Sequence, residues 1–106
     1  MFDFDQLRRE MVADLRDQGI KDTAVLQAMN TVPREHFVPE DFLEYAYYNG
    51  PIPLPANQTI SQPFVVALML SALRLKPHFN ALDIGTGSGY AAVSYTHLTL
   101  PTSFLV

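Results

Sequence analysis

The stretch Ala81-Leu-Asp-Ile-Gly-Thr-Gly-Ser-Gly-Tyr90 decides the fold of this chain of 106 residues. Its apolar start, Ala81 to Ile84, predicts a short buried strand, and the glycines after it predict a turn that leads into a helix. A glycine-rich turn between a strand and a helix lets the backbone approach a ligand closely and directs free N–H groups at it. The stretch therefore predicts an α/β fold with a nucleotide-type cofactor site.

The spacing of the glycines narrows the kind of site. Gly85, Gly87 and Gly89 alternate, whereas a dinucleotide-binding fingerprint has its third glycine at the position of Tyr90. A phosphate-binding P-loop needs a lysine that this stretch lacks. Asp83 stands two residues before Gly85, where an acid of S-adenosylmethionine-dependent enzymes pairs with the ammonium group of the cofactor. By itself the spacing is also compatible with a generic glycine turn.

Composition and charge exclude several classes of protein. The hydrophobic content of 48% and the charged content of 17% are typical of a globular chain. The net charge is −4 and the seven Lys and Arg residues are scattered, so a nucleic-acid partner is not expected. The chain has no cysteine, which excludes a disulfide framework and a thiolate metal site and is compatible with a cytoplasmic location.

The sequence predicts no signal peptide, no membrane-spanning segment and no metal site. The N-terminus lacks the basic start and apolar run of a signal peptide. The longest apolar run, Phe64 to Leu70, is far shorter than the ~20 residues that a membrane span needs. None of the three histidines stands at metal-ligand spacing from another histidine or an acid.

Two helices are predicted at the start of the chain. Apolar residues recur at helical spacing over about 5–18, and Gly19 is predicted to close this helix in the C′ position. Asp22 or Thr23 can cap the second helix. Pro33 ends it, because the residue before a proline is pushed out of the helical region.

The middle of the chain is predicted to be less regular. Residues 36–39 are predicted as an extended link and 40–48 as a third helix. Residues 49–58 hold three of the eight prolines and are predicted as an irregular loop. A fourth helix over about 63–73 is apolar on nearly all sides, so it is expected to be buried.

A second motif, Asn57-Gln-Thr-Ile-Ser-Gln-Pro-Phe64, spans the start of the fourth helix. Together with Val32-Pro-Arg-Glu-His-Phe-Val38 and the glycine loop, it resembles the protein-L-isoaspartate O-methyltransferase family in order and spacing. The resemblance covers about Leu7 to Ala91. One departure is visible: the family usually carries Gly-x-Gly just before the position of Gln58, where this chain has Pro55-Ala-Asn57.

The resemblance implies an active site and a cofactor, S-adenosyl-L-methionine. Ser61 matches the active-site serine of the family, and Thr59 and Ile60 match residues that line the cofactor pocket. The implied cofactor-binding residues are Thr59, Ile60, Ser61, Asp83, Gly85, Thr86, Gly87, Ser88 and Gly89. An alternative role for Ser61 is the N-cap of the helix that begins near Pro63.

The implied activity is methyl transfer to the free carboxylate of L-isoaspartyl residues in damaged proteins, which begins their repair. The implied fold is a Rossmann-like methyltransferase domain, and the implied partners are isoaspartyl-containing proteins and peptides bound by a monomer. A carboxylate with a pKa of about 4 is ionised at neutral pH, so no strong general base is required. Ser61 is therefore interpreted as a hydrogen-bonding positioner and not as a nucleophile.

The end of the chain does not fit this domain. Val93-Ser-Tyr-Thr-His-Leu-Thr-Leu-Pro-Thr102, when back-translated, resembles the transposase end and adapter used to prepare sequencing libraries. We therefore interpret residues 1–92 as the N-terminal part of one methyltransferase domain and residues 93–106 as a non-native tail. A natural strand-and-turn segment is the alternative. The fold is expected to be truncated and the fragment inactive, because a lone strand cannot form a sheet.

Two other functions stay open at this level. The chain could derive from a related methyltransferase with another substrate, because the substrate-binding half of the domain is not in the sequence. It could also be a non-catalytic helical module that binds a partner, because four helices and one strand are all that the patterns predict. Methylation of an isoaspartyl peptide would distinguish the repair enzyme from a related methyltransferase with another substrate. A ribose-binding acid encoded after Ala92 would argue against the helical module.

Overall fold

The computed structural model describes residues 2–54, 58–74 and 89–99. Its elements, in chain order, are helix α1 (Phe4–Asp17), helix α2 (Thr23–Thr31), a first 3-10 helix (Arg34–Phe37), a second 3-10 helix (Glu40–Tyr45), strands β1 (Ile52–Leu54) and β2 (Gln58–Ile60), helix α3 (Pro63–Ala72) and helix α4 (Tyr90–Thr99). The predicted strand at 81–84 and most of the glycine loop lie outside the described residues.

Gly19 closes α1 as predicted. Its φ of 105° lies in the left-handed region, which glycine adopts without steric cost. The N–H of Gly19 donates to the carbonyl of Arg16 at 3.1 Å, and the N–H of Ile20 donates to the carbonyl of Leu15 at 3.0 Å. These two bonds form a Schellman motif, and both Leu15 and Ile20 are buried beside it.

Asp22, one of the two predicted caps, is the N-cap of α2. Its Oδ1 accepts the N–H groups of Ala24 at 3.1 Å and Val25 at 3.2 Å. The helix ends at Thr31, and its C-cap Val32 has the extended backbone that is favoured before Pro33. Both predicted boundaries of this helix are therefore confirmed.

One apolar core joins these elements. Its buried members on α1, α2 and α3 are Met11, Val12, Leu15, Val25, Leu26, Met29, Val66, Ala67 and Leu70. Ile52 and Ile60 add the hairpin to this core, and Tyr90 adds the start of α4. Burial of one such large side chain stabilises the fold by about 1.5–3 kcal/mol, so the core holds the short elements in place.

The prediction of an irregular loop over 49–58 is wrong for part of that segment. β1 and β2 pair in antiparallel fashion, with Ile52 opposite Ile60 and Pro53 opposite Thr59. Within the described residues the sheet has only these two strands, so both are edge strands there. An edge strand tolerates a proline, here Pro53 in β1. The hairpin forms because Ile52 and Ile60 share one buried face.

Two further predictions of local structure are corrected. Residues 34–37 form a 3-10 helix where an extended link was predicted from 36, and the predicted third helix is a 3-10 helix that ends at Tyr45. In both, the carbonyl of a preceding proline accepts the first bond: Pro33 from His36, and Pro39 from Phe42, each at 2.9 Å. Segments this short favour i→i+3 bonds, because the α-helix has a costly nucleus.

Helix α3 is only half covered, although the sequence predicts burial all round. One side packs into the core through Pro63, Val66, Ala67 and Leu70. The opposite side exposes an apolar stripe, here named the α3 stripe, which consists of Val65, Leu68, Met69 and Leu73. The stripe follows from the uniformly apolar sequence of α3, of which the core in the described residues covers one face.

Helix α4 continues through the predicted boundary between residues 92 and 93. Its partly buried Val93 and Leu98 pack against the core. The Ser94 hydroxyl donates to the carbonyl of Tyr90 at 2.9 Å. The boundary thus falls inside a helix, and the non-native origin of residues 93–106 stays a prediction.

Candidate active site around Arg34 and Ser61

A fully buried arginine lies at the centre of the described site. Arg34, from the first 3-10 helix, has a relative exposure of 0%. Its Nε donates to the carbonyl of Ala46 at 2.7 Å, and its Nη2 donates to the carbonyl of Ser61 at 2.9 Å. A buried guanidinium is costly unless its N–H groups are paired, and here two backbone carbonyls pair with Nε and Nη2, whereas Nη1 has no hydrogen-bond partner among the described residues. Arg34 therefore holds the backbone of Ser61 in place.

Tyr90 lies against the same guanidinium. The Arg34 Cζ is 4.9 Å from the centroid of the Tyr90 ring, a distance typical of a cation–π contact. Phe37 packs against the same ring in an edge-on arrangement with centroids 5.7 Å apart. Because Tyr90 directly follows Gly89, Arg34 contacts the Ser61 segment and also the point where the glycine loop enters α4.

The charge states of this pair follow from their burial. Burial lowers the pKa of the Arg34 guanidinium, although Tyr90 and Tyr47 act in the opposite direction. Burial also raises the pKa of the Tyr90 phenol, although the charge of Arg34 opposes that shift. Arginine stays protonated in proteins, and the upward shift of the Tyr90 pKa keeps its phenol neutral, so at neutral pH a cation lies next to a neutral ring.

A second polar cluster supports Arg34 from the side of α1. The Arg8 Nη2 donates to Glu35 Oε2 at 2.9 Å, and the Arg8 Nε donates to the Tyr47 hydroxyl at 2.8 Å. The Tyr47 hydroxyl donates to Glu35 Oε1 and accepts the backbone N–H of Arg34 at 3.2 Å. The three side chains therefore join α1 to the segment that carries Arg34.

The pKa values of this cluster are shifted by its hydrogen bonds and its burial. Burial alone would raise the pKa of Glu35, but the hydrogen bonds from Tyr47 and Arg8 outweigh it and the net shift is downward. Burial and the hydrogen bond to Glu35 raise the pKa of Tyr47. The cluster is therefore an ionised carboxylate held by one cation and one neutral phenol.

Ser61 is exposed and does not cap α3. The N-cap residue is Gln62, with φ −52° and ψ 139°, and no side chain makes a capping hydrogen bond there. The Gln62 side chain instead donates to Asn49 Oδ1 at 3.0 Å. The alternative role of Ser61 as helix cap is therefore wrong in this structure, and its hydroxyl is left at the surface.

The other predicted cofactor residues are only partly described. Thr59 and Ile60 lie on β2, and the Ile60 side chain is buried in the core. Gly89 precedes α4 with a φ of 85°, a conformation that favours glycine. The predicted residues outside the described ranges are Asp83, Gly85, Thr86, Gly87 and Ser88. The binding roles of all these residues stay predictions.

The sequence reasoning did not identify Arg34, Glu35 or Tyr47 as parts of the site. The available signal for Arg34 is that apolar residues flank the polar triplet Arg34-Glu-His36 on both sides. Tyr47 could not be separated by pattern from Tyr45, which the structure leaves about half exposed.

Two kinds of feature are not found in the ranges that the structure describes. No group of three or more His, Cys, Asp and Glu residues there is placed to hold a metal ion. None of the helices in those ranges is both long enough and apolar enough to cross a membrane.

Comparison with known proteins gives one consistent family. The family model "Protein-L-isoaspartate(D-aspartate) O-methyltransferase (PCMT)" matches residues 6–106. Protein-L-isoaspartate O-methyltransferase 2 of Marinobacter nauticus is 52% identical over 99 residues, which cover 92% of this chain and 45% of the relative. The Sodalis glossinidius protein-L-isoaspartate O-methyltransferase is 51% identical over 88 residues, or 83% of this chain and 42% of the relative. The chain therefore spans less than half the length of these relatives.

Solved structures of the family share the fold of this chain. A protein-L-isoaspartate O-methyltransferase superposes with a TM-score of 0.77 at 26% identity and covers 89% of this chain and 31% of its own. A Plasmodium falciparum protein described by the same activity, in complex with S-adenosyl-L-homocysteine, superposes with a TM-score of 0.74 at 33% identity. The match covers 84% of this chain and 40% of that protein. The predicted resemblance is thus confirmed, and the chain belongs to the protein-L-isoaspartate(D-aspartate) O-methyltransferase family.

Proposed function

We propose that this chain is the N-terminal part of an enzyme that methylates the free carboxylate of L-isoaspartyl residues in damaged proteins. The observation that carries the proposal is that Ser61 has a fixed backbone and an exposed side chain. Its backbone is held by the buried Arg34, while its side chain is exposed and is not used as a helix cap. A serine fixed in this way can present its hydroxyl to a ligand. Family membership supports an isoaspartyl carboxylate, in proteins or peptides, as the proposed ligand, and the proposed enzyme is a monomer.

S-adenosyl-L-methionine is the proposed methyl donor. The bound S-adenosyl-L-homocysteine of the Plasmodium falciparum relative, which is the donor without its methyl group, supports this choice. Among the residues proposed to hold it, Gly89 fits through its positive φ at the entrance of α4. Asp83 would pair with the ammonium group of the donor, and Gly85 and Gly87 would leave room for its methionine half.

The proposed chemistry needs little from acids and bases. The donor supplies an electrophilic methyl group on a sulfonium. A substrate carboxylate of pKa about 4 is already a nucleophile at neutral pH. The Ser61 hydroxyl donates a hydrogen bond to one carboxylate oxygen and leaves the other free to attack. Alignment of this kind contributes several kcal/mol as effective concentration, on the order of 7–11 at best.

We also propose that the chain of 106 residues is itself inactive and that residues 93–106 are a non-native tail. The chain spans 45% of the Marinobacter nauticus relative, and its α3 stripe is open to solvent. Both observations support the proposed inactivity, because the part that would complete the cofactor pocket and bind the substrate is proposed to lie in the rest of the parent enzyme. The proposed tail rests only on the back-translated sequence of residues 93–102.

The experiment that tests this proposal begins with the source locus. The locus is amplified and sequenced across the codon for Ala92, and the protein encoded there, here named the parent protein, is expressed. The parent protein and the 106-residue chain are then assayed for transfer of a labelled methyl group from S-adenosyl-L-methionine to an isoaspartyl peptide. The matched control is the same peptide with an ordinary aspartyl residue.

We expect methylation of the isoaspartyl peptide alone, by the parent protein alone. Methylation of a different acceptor would establish a related methyltransferase instead. A locus that encodes residues 93–106 as given would overturn the proposed tail. If that natural chain showed no transfer, the role of a partner-binding helical module would replace the enzyme.

A further inference from the structure

We infer that Arg34 is a positioning residue for Ser61. Its buried guanidinium joins the Ser61 backbone to the start of α4 and thereby sets the placement of the serine segment relative to the end of the glycine loop. The inference rests on the proposed function of Ser61 and extends it. It gives the Val32–Val38 segment a role in the geometry of the site.

The contacts of Arg34 come from three distant parts of the chain. Ala46 is 12 residues away in sequence and Ser61 is 27 away. The Tyr90 ring, 4.9 Å from the guanidinium carbon, belongs to α4. None of these contacts is made within one helix or strand, so the side chain of Arg34 fixes a tertiary arrangement and not a local one.

An arginine suits this position for geometric reasons. The planar guanidinium offers donors in several fixed directions and a flat face for an aromatic ring. Nε and Nη2 serve two different carbonyls while the face lies against Tyr90. A lysine has one ammonium group on a flexible stem and cannot reproduce this set of contacts.

Arg34 is itself held from two sides. Its backbone N–H donates to the Tyr47 hydroxyl, which Arg8 and Glu35 bind in turn. On the other side, Phe37 packs against Tyr90. A side chain held at both ends can transmit its position to Ser61, whereas a mobile side chain could not.

The first test measures local structure and needs no activity. Arg34→Lys and Arg34→Gln are made in the 106-residue chain, with Arg9→Lys as the matched control because Arg9 is an exposed arginine of α1. Amide hydrogen exchange is followed by mass spectrometry. We expect exchange at 58–62 and 90–94 to rise about tenfold in the Arg34 variants, with little change in α1 and α2.

Arg9→Lys should leave exchange at 58–62 within about twofold of the unsubstituted chain. An unchanged rate at 58–62 in both Arg34 variants, or no slowed exchange there in the unsubstituted chain, would overturn the inference. A uniform rise in the exchange rate over the whole chain in both Arg34 variants would also overturn the inference. It would show that Arg34 stabilises the whole fold and does not position Ser61 in particular.

The second test is kinetic and uses the parent protein. Arg34→Lys should lower kcat for the isoaspartyl peptide about tenfold while the KM for S-adenosyl-L-methionine stays within about twofold. Unchanged kcat in a variant with raised local exchange would refute the positioning role. If the unsubstituted parent protein transfers no methyl group, the proposed function fails, and the exchange result alone then decides whether Arg34 holds the Ser61 segment.

Discussion

Arg8 and Glu35, which are 27 residues apart in sequence, form an ion pair with Nη2 of the arginine 2.9 Å from Oε2 of the glutamate. Both side chains are about 11% exposed, and Arg8 also contacts the much more exposed Asp5 at 3.1 Å. The pair is linked through the Tyr47 hydroxyl to the backbone N–H of Arg34, so it joins α1 to the segment that carries Arg34.

Loss of the Glu35 carboxylate should destabilise the fold. Glu35→Gln removes the charge that pairs with Arg8 and weakens the bond with Tyr47, so we expect the free energy of unfolding to fall by about 1–2 kcal/mol. Urea unfolding followed by circular dichroism measures it. Asp5→Asn is the control and should change stability little, because an exposed ion pair contributes little. If Glu35→Gln and Asp5→Asn lowered the free energy of unfolding equally, the partly buried Glu35 would contribute no more to stability than the exposed Asp5.

The stability of the chain should depend on pH through the same cluster. Because the folded pKa of Glu35 is lowered, its contribution is present above the unfolded pKa of about 4.3 and is lost as the pH falls through the folded value. Tyr47 has a raised folded pKa, so its contribution is present below the unfolded pKa of about 10 and is lost as the pH rises through the folded value.

Unfolding free energies measured between acidic and alkaline pH check both directions. Glu35→Gln should flatten the acid side of the profile, and Tyr47→Phe should flatten the alkaline side. If the free energy of unfolding of Glu35→Gln fell as steeply towards acidic pH as that of the unsubstituted chain, other carboxylates would be responsible for the acid destabilisation.

Replacement of Ser61 should affect turnover and spare stability. In the parent protein, Ser61→Ala should lower kcat, because the substrate carboxylate loses a hydrogen-bond donor. The free energy of unfolding should change by less than about 0.5 kcal/mol, because Gln62 and not Ser61 is the N-cap of α3. Asp22→Ala, which removes a true cap, is the control and should cost about 1 kcal/mol. Near-normal turnover in Ser61→Ala would remove the proposed role.

The α3 stripe should limit the solubility of the 106-residue chain. Leu68 and Met69 are 50% and 62% exposed, and contiguous apolar surface of this kind promotes association. The double substitution Leu68→Lys with Met69→Lys should raise the concentration at which light scattering first detects aggregates. Ala67→Lys on the buried side of the same helix should unfold the chain. Unchanged aggregation of the double variant would show that another surface is responsible.

Motifs in the sequence indicate candidate site residues, but they do not give the geometry of the described site. The position of Ser61 and the identity of the glycine loop follow from residue types at fixed spacing. Residue type favours Ser61 over Gln62 as the N-cap of α3, so it indicates the wrong residue, because the boundary depends on where the folded chain starts the helix. The contribution of Arg34 was hidden for a different reason, because an arginine is usually a surface residue and only its neighbours in space reveal its burial.

The sequence by itself determined the family and the features that depend on a few neighbouring residues. Gly19, Asp22 and Pro33 set helix ends because their conformations and hydrogen bonds are local. Only the tertiary structure decided the pairing of Ile52 with Ile60, the single covered face of α3 and the burial of Arg34 between Ser61 and Tyr90. These features depend on contacts between residues far apart in sequence, and their energy comes from surfaces and charges that meet only when the chain has folded.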